Sequence, residues 1–304
     1  MTRTLRELFV DRTRQIDAFQ KMMDGTSPRR IMVLTAGPGM GKSWLIHTFE
    51  QLAQARSLPL ALFDFADGNA YDALTLMTKG RDLLGAGGFA RLAQALVDAA
   101  TPHVQVDVVG APAPAPINLS SATVGGDVTI SQGNTTITGN TFNIQTSDPL
   151  IRRAIEDRIT SVFFECLADL SQQQRAVFLF DSYDRLSSDD DGWAASPVNR
   201  WVVGELLARM RDGRLPNVIA VLAGRRAPSF GVEWNDVLGR ISLDALSDDD
   251  VRVYLRERRG LGVITDAEML RLSQAIGGNP SVMGIVGDNL EQANGAKATA
   301  DDQW

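Results

Sequence analysis

Cysteine is nearly absent. Cys166 is the single one in 304 residues, so neither an intramolecular disulfide nor a cysteine-based zinc site can form. Its setting, Val162-Phe163-Phe164-Glu165-Cys166-Leu167, reads as a small buried apolar position. Histidine is as scarce: His47 and His103 lie far apart and offer no metal-ligand spacing. No apolar run approaches the roughly 18 residues that a membrane helix needs. Residues 1–7 also lack the apolar core of a secretory signal, so the expected location is cytoplasmic with no membrane partner. Lysine is limited to Lys21, Lys42, Lys79 and Lys297. A formal charge of −7 and a pI near 5.0 argue against a dedicated nucleic-acid surface. The rest is ordinary for a globular chain, with 44% apolar and 22% charged residues and length for one large or two smaller domains.

One segment stands apart. Ala36-Gly37-Pro38-Gly39-Met40-Gly41-Lys42-Ser43 follows the apolar run Ile31-Met32-Val33-Leu34 and precedes a helix-like stretch. This is the phosphate-binding loop pattern, with Ala for Gly at its first position. Glycines let several backbone N–H groups turn inward toward a polyphosphate, and the following helix aims its positive end at the same anion. Lys42 can reach the β- and γ-phosphates, and the Ser43 hydroxyl can ligate Mg²⁺. Nucleotide contacts are expected from Gly37, Gly39, Met40, Gly41, Lys42, Ser43 and Trp44.

Elsewhere the chain alternates between strand and helix patterns. Helices are predicted over 13–23, 42–55, 70–84, 88–100, 149–170, 197–212, 247–260 and 265–276, with another after the Gly277-Gly278-Asn279-Pro280 turn. Strands are predicted at 31–35, 58–65, 176–180 and 218–222, with a short fifth at 241–243. Between them, residues 110–116 alternate Ala and Pro in an extended linker. Residues 122–144 carry β-branched alternation punctuated by Gly-Asn pairs, which predicts hairpins. The predicted fold is thus α/β: a P-loop nucleotide-binding core with a parallel sheet, a β-rich insertion and a C-terminal helical lid. Its expected parts are the first half of the core (1–100), the insert (101–148), the second half (149–244), and the lid with a tail (245–304).

Val177-Phe178-Leu179-Phe180-Asp181 is an apolar strand ending in a carboxylate. Beside a phosphate loop, such an Asp holds Mg²⁺ or its water. Asp184 is a candidate for positioning the attacking water, or else a helix-start carboxylate. No Glu follows Asp181 directly, which predicts slow hydrolysis. Arg225, in Ala223-Gly224-Arg225-Arg226, closes the fourth strand, where a guanidinium would face the γ-phosphate. The Asn-Lys-x-Asp pattern that reads guanine is missing, so adenine is the expected base.

Taken in order, these features resemble the STAND class of signalling ATPases, which contains NACHT and NB-ARC domains and many bacterial defence regulators. Leu8-Phe9-Val10-Asp11-Arg12 is similar to the family's opening Phe-Val-Gly-Arg motif. Asp181-Ser182-Tyr183-Asp184 is similar to its Walker B motif, and Gly278-Asn279-Pro280 to its lid turn. The resemblance implies that Phe9, Val10 and Arg12 line the adenine side and that Pro280 touches the base. Phe9 and Val10 also suit an apolar staple, and Pro280 a simple turn. Asp11 stands where the family has Gly, and Arg185 where the acidic motif ends in Glu. No repeat sensor is present in the sequence, and the residues after 290 read as a dwindling tail.

The resemblance implies an ATP- or ADP-binding, Mg²⁺-dependent, slowly hydrolysing switch that controls assembly or signalling. Expected partners are further copies of the chain; the nearly uncharged insert either pairs with a like segment of another copy or is a solvated hairpin excursion, and either a separate protein supplies the sensor or the chain is a fragment or a minimal switch. Two alternatives stand beside it. One is an AAA- or initiator-type ATPase acting on nucleic acid through arginines such as Arg252, Arg256, Arg258 and Arg259. The other is a non-hydrolysing, nucleotide-stabilised scaffold.

Overall fold

The computed structural model describes residues 12–100, 130–132, 135–138, 141–142, 149–187, 192–261 and 264–301. They fall into two compact units, one formed by residues 1–69 and 175–304 and the other by 70–174.

The first unit is built on five parallel strands: β1 (Ile31–Thr35), β2 (Leu60–Asp64), β3 (Ala176–Asp181), β4 (Val218–Gly224) and β5 (Leu238–Ser242). Their order across the sheet is β2-β3-β4-β1-β5. Every residue of β3 and β4 is buried, which is why both read as unbroken apolar runs rather than alternating ones. Successive side chains of a strand point to opposite faces, so Val177, Leu179, Ile219, Val221 and Ala223 share one face. Two helices cover that face, α1 (Thr13–Asp24) and α2 (Lys42–Ala55). Phe19 of α1 stacks on Phe49 of α2 with ring centroids 4.2 Å apart. The fifth strand starts at Leu238, three residues before the predicted start at 241. Pairing with β1 recruits it, running from Ile31↔Leu238 to Thr35↔Ser242, and so takes in Gly239 despite its weak strand preference.

The same unit ends in a helical lid with its own core, which includes Leu246, Val251, Leu255, Met269 and Met283. Its three helices span residues 248–258, Asp266–Ile276 and Pro280–Asp301. Capping boxes start the first two, Ser247 with Asp250 and Thr265 with Glu268, each satisfying otherwise orphaned amides. The tail expected after residue 290 is instead helical to Asp301, in keeping with its alanine-rich composition.

Gly278 makes the lid's turn possible. Its φ is +66°, and a Cβ there would lie 2.2 Å from the Leu246 carbonyl oxygen. That close approach lets the Leu246 N–H donate to the Gly278 carbonyl at 2.8 Å. Gly278→Ala is therefore expected to cost about 1–3 kcal/mol of stability, read by urea unfolding. An unchanged midpoint would refute this role for the turn.

The second unit holds α3 (Ala73–Leu84), α4 (Ala90–Ala100), α5 (Pro149–Gln173) and three short antiparallel strands, Ile130–Gln132, Thr135–Thr138 and Thr141–Phe142. Asp72 caps α3 by accepting from the Thr75 N–H at 2.7 Å. Phe89 meets Phe163 at 5.4 Å, and Arg91 pairs with Glu165 and Asp169. Cys166 is buried and unpaired. These helix contacts hold together the unit that runs from 70 to 174. The hairpins' Gly-Asn turns lie outside the described residues. Among the described residues, no helix is long and apolar enough to cross a membrane.

Candidate functional site

The glycine-rich loop leaves β1 at Thr35 and enters α2 at Lys42. Gly39 and Gly41 both take positive φ, 75° and 82°, which only glycine adopts without strain. Gly41 is the residue that precedes α2, and it has no side chain to cap the helix. The first-turn amides of α2 therefore have no side-chain acceptor and present their partial positive charge toward the loop. Lys42 folds back over that loop. Its Nζ donates to the Ala36 and Gly37 carbonyls at 2.9 and 2.8 Å. Burial pushes the Lys42 ammonium below its usual pKa; Asp184 and Asp181 oppose that shift and Arg225 adds to it.

Two of those influences come from the ends of strands that β1 does not carry. Asp181 closes β3 with only 5% exposure, and the Ser43 side chain stands beside its carboxylate. Its Oδ1 also accepts from the Ser182 N–H at 2.7 Å. Burial raises the Asp181 pKa above its ordinary value. The Ser43 and Ser182 hydrogen bonds pull it down, Asp64 pushes it further up, and His47 pulls it down. β4 lies between β1 and β3, and this sheet order sets a loop residue and a strand-end acid 138 positions apart against each other.

Arg225 follows directly on β4. Ser182, at φ 55°, turns the chain sharply after Asp181 and brings Asp184 against Gly224. Asp184 Oδ1 accepts the Arg225 N–H at 2.8 Å, and Oδ2 lies 3.5 Å from Arg225 Nε. Asp184 is thus a clamp on the end of β4 as well as a site carboxylate. Lys42 thus sits among two carboxylates, Asp181 and Asp184, and one further cation, Arg225.

The lid closes over the loop. Ser281 donates to the Gly39 carbonyl twice, from its N–H at 3.2 Å and its hydroxyl at 3.1 Å. Asn279 caps the last lid helix, its Oδ1 accepting from the Ser281 N–H at 3.0 Å. A Cβ on Gly39 would meet that Oδ1 at 2.7 Å, so a glycine is needed for this contact too. Between loop and lid lies a cavity of about 380 Å³, within the usual range for small-molecule sites. Its walls include Arg12, Met40, Trp44, Tyr254, Pro280 and Asp288. Arg12 is buried and donates to the Asp244 carbonyl at 2.8 Å. On the lid wall, Arg259 bonds to the Tyr254 hydroxyl at 2.8 Å and pairs with Asp288 at 2.7 Å and Glu291 at 3.1 Å.

Of the residues singled out from sequence, Lys42, Ser43, Asp181, Asp184 and Arg225 come together at the sheet's carboxyl edge. Arg12, Met40, Gly41, Trp44 and Pro280 line the neighbouring cavity. Gly37 serves through its carbonyl and Gly39 through its contact with the lid. Phe9 and Val10 lie outside the described residues. Asp64, Ser281 and Tyr254 were not singled out, and Arg259 was read only as part of an arginine-rich patch. Asp64 did carry a signal, because Leu60–Asp64 is an apolar strand ending in Asp, as 177–181 is.

Among the described residues, no group of three or more His, Cys, Asp or Glu side chains is arranged to hold a metal. Ser43 with Asp181 supplies two hard oxygen donors, a set that suits Mg²⁺ completed by phosphate oxygens and water. No protein-family model and no curated protein matches this chain. Among solved structures, it is similar to a chain in the structure of the E. coli MS115-1 HORMA:CdnC:Trip13 complex. The two share 11% identity at a TM-score of 0.44, covering 90% of this chain and 82% of that one. So distant a likeness carries no functional argument.

Proposed function

We propose that this chain binds ATP with Mg²⁺ and acts as a slowly hydrolysing, STAND-like switch. The observation that carries the reading is the sheet order: β4 separates β1 from β3, so the glycine-rich loop with Lys42 and the buried carboxylate of Asp181 meet at one sheet edge. A hydroxyl and a carboxylate there, beside Lys42 and uncapped helix amides, match what a magnesium triphosphate requires. Ser43 and Asp181 would hold the metal, and Lys42 the β- and γ-phosphates. Bound Mg²⁺ would neutralise charge on the phosphate oxygens. The adjoining cavity would take the base, with Arg12, Trp44 and Pro280 as its walls.

Switching would come from the lid. Ser281 rests on Gly39, so an occupant that reshapes the loop changes the lid's seat as well. Arg225, held against Asp184, would lose its phosphate partner on hydrolysis. Cytoplasmic location, self-association and a separate sensor or effector belong to the same proposal. The nucleic-acid alternative is weakened by electrostatics. Arg252 pairs with Asp249, Arg256 with Asp266, and Arg259 with Asp288 and Glu291, so most of that arginine group is already neutralised.

The test is equilibrium titration of the chain with a fluorescent ATP analogue, with and without Mg²⁺, alongside chromatography of nucleotide released on denaturation. Saturable, magnesium-strengthened binding is expected. No binding at millimolar ATP would overturn the reading.

A further inference from the structure

We propose that Asp64, at the end of β2, is a catalytic residue of this site that holds the attacking water for γ-phosphate hydrolysis. The inference rests on the ATP-binding reading and adds a residue to it. Three geometric facts carry it.

The first is register. Asp64 pairs with Asp181 across the β2–β3 ladder, both being the last residues of parallel neighbours. Adjacent strands lie about 4.8 Å apart, so both carboxylates stand on the sheet edge from which the glycine-rich loop emerges. The second is availability. Asp64 Oδ1 accepts from the Ala66 N–H at 2.9 Å, which fixes the carboxylate's orientation. Its Oδ2 has no hydrogen-bond partner among the described residues.

The third is the engagement of the other acid. Asp184 gives one oxygen to the Arg225 N–H and sets the other toward the Arg225 guanidinium. Position 182, next to Asp181, is a serine in left-handed conformation and supplies no carboxylate. Asp64 is thus the strand-end carboxylate beside Asp181 whose second oxygen is open to a water.

The step balances without a further reagent. The water oxygen forms a bond to the γ-phosphorus, and the bond from that phosphorus to the β–γ bridging oxygen breaks. The bridging oxygen leaves on ADP. Asp64 accepts a hydrogen bond from the water and orients it, while the other water proton passes to a γ-phosphate oxygen. ATP⁴⁻ and water thus become ADP³⁻ and H₂PO₄⁻.

Single-turnover phosphate release and binding of a fluorescent ATP analogue, both with Mg²⁺, test this in the wild type, Asp64→Asn and Asp64→Glu. For Asp64→Asn, release is expected to slow by at least about 100-fold while the dissociation constant changes less than about threefold. Asp64→Glu should recover part of the rate, because it restores the acceptor. Thermal unfolding confirms that each variant is folded. Wild-type release from Asp64→Asn would overturn the assignment, as would a loss of rate fully explained by lost binding. A wild type that binds ATP yet releases no phosphate sinks the role of Asp64 and leaves the binding reading standing. A wild type that binds no nucleotide sinks both.

Discussion

Lys42→Ala is expected to weaken magnesium-ATP binding by at least about 100-fold. Charge-assisted hydrogen bonds contribute about 1.5–3 kcal/mol each, and one lysine serving two phosphates accounts for that loss. Lys42 is the one cation within the 36–43 loop, so no neighbour along the loop can replace it. Its present partners are two loop carbonyls, which water can satisfy once the side chain is gone. The folded state should therefore suffer little. Calorimetric titration beside a melting curve separates the two effects. Tight magnesium-ATP binding by the variant would remove the loop from the site.

Asp181→Asn is expected to move stability and activity in opposite directions. Hydrolysis should fall by at least about 100-fold, since the carboxylate that would hold the metal is gone. Without metal, however, the variant should be more stable than the wild type at neutral pH. Burial, first, and then the Asp64 charge raise the folded-state pKa of Asp181 above its ordinary 3.8. Between the unfolded and folded pKa values the native state binds more protons, so the stability contributed by Asp181 falls as pH rises. That contribution is full below the unfolded value and is lost on passing the folded one. Asparagine does not ionise. Its advantage should be small near pH 4, grow as the wild-type carboxyl ionises, and then level off. Urea unfolding from pH 4 to 8 in a chelator measures the difference. A wild type more stable than the variant at pH 7 would show that Asp181 carries no strain for a cation to relieve.

The glycine-rich loop was legible because its information is contiguous. Eight successive residues carry the backbone freedom, the cation and the hydroxyl, and a strand and a helix flank them. Asp181 and Arg225 were legible as strand ends, a local pattern of apolar run followed by charge. Asp184 was half legible: its place near the site followed from spacing, but its hold on Arg225 depends on how β3 and β4 turn after the sheet. Ser281 and Gly39 are 242 residues apart, and no local pattern announces their contact. The 101–148 segment was marked by composition, and the compact unit 70–174 follows from how α4 and α5 pack on each other.

Alternating strand and helix periods, read along the chain, were enough to specify a parallel α/β sheet and the helices that follow it. These depend on neighbours in sequence, because backbone preference and face periodicity act over a few residues. Strand order, the pairing of Asp64 with Asp181, the Ser43 contact and the lid's seat on Gly39 were decided in three dimensions. Each depends on which apolar faces bury one another, a choice made by the whole core at once and written in no single segment.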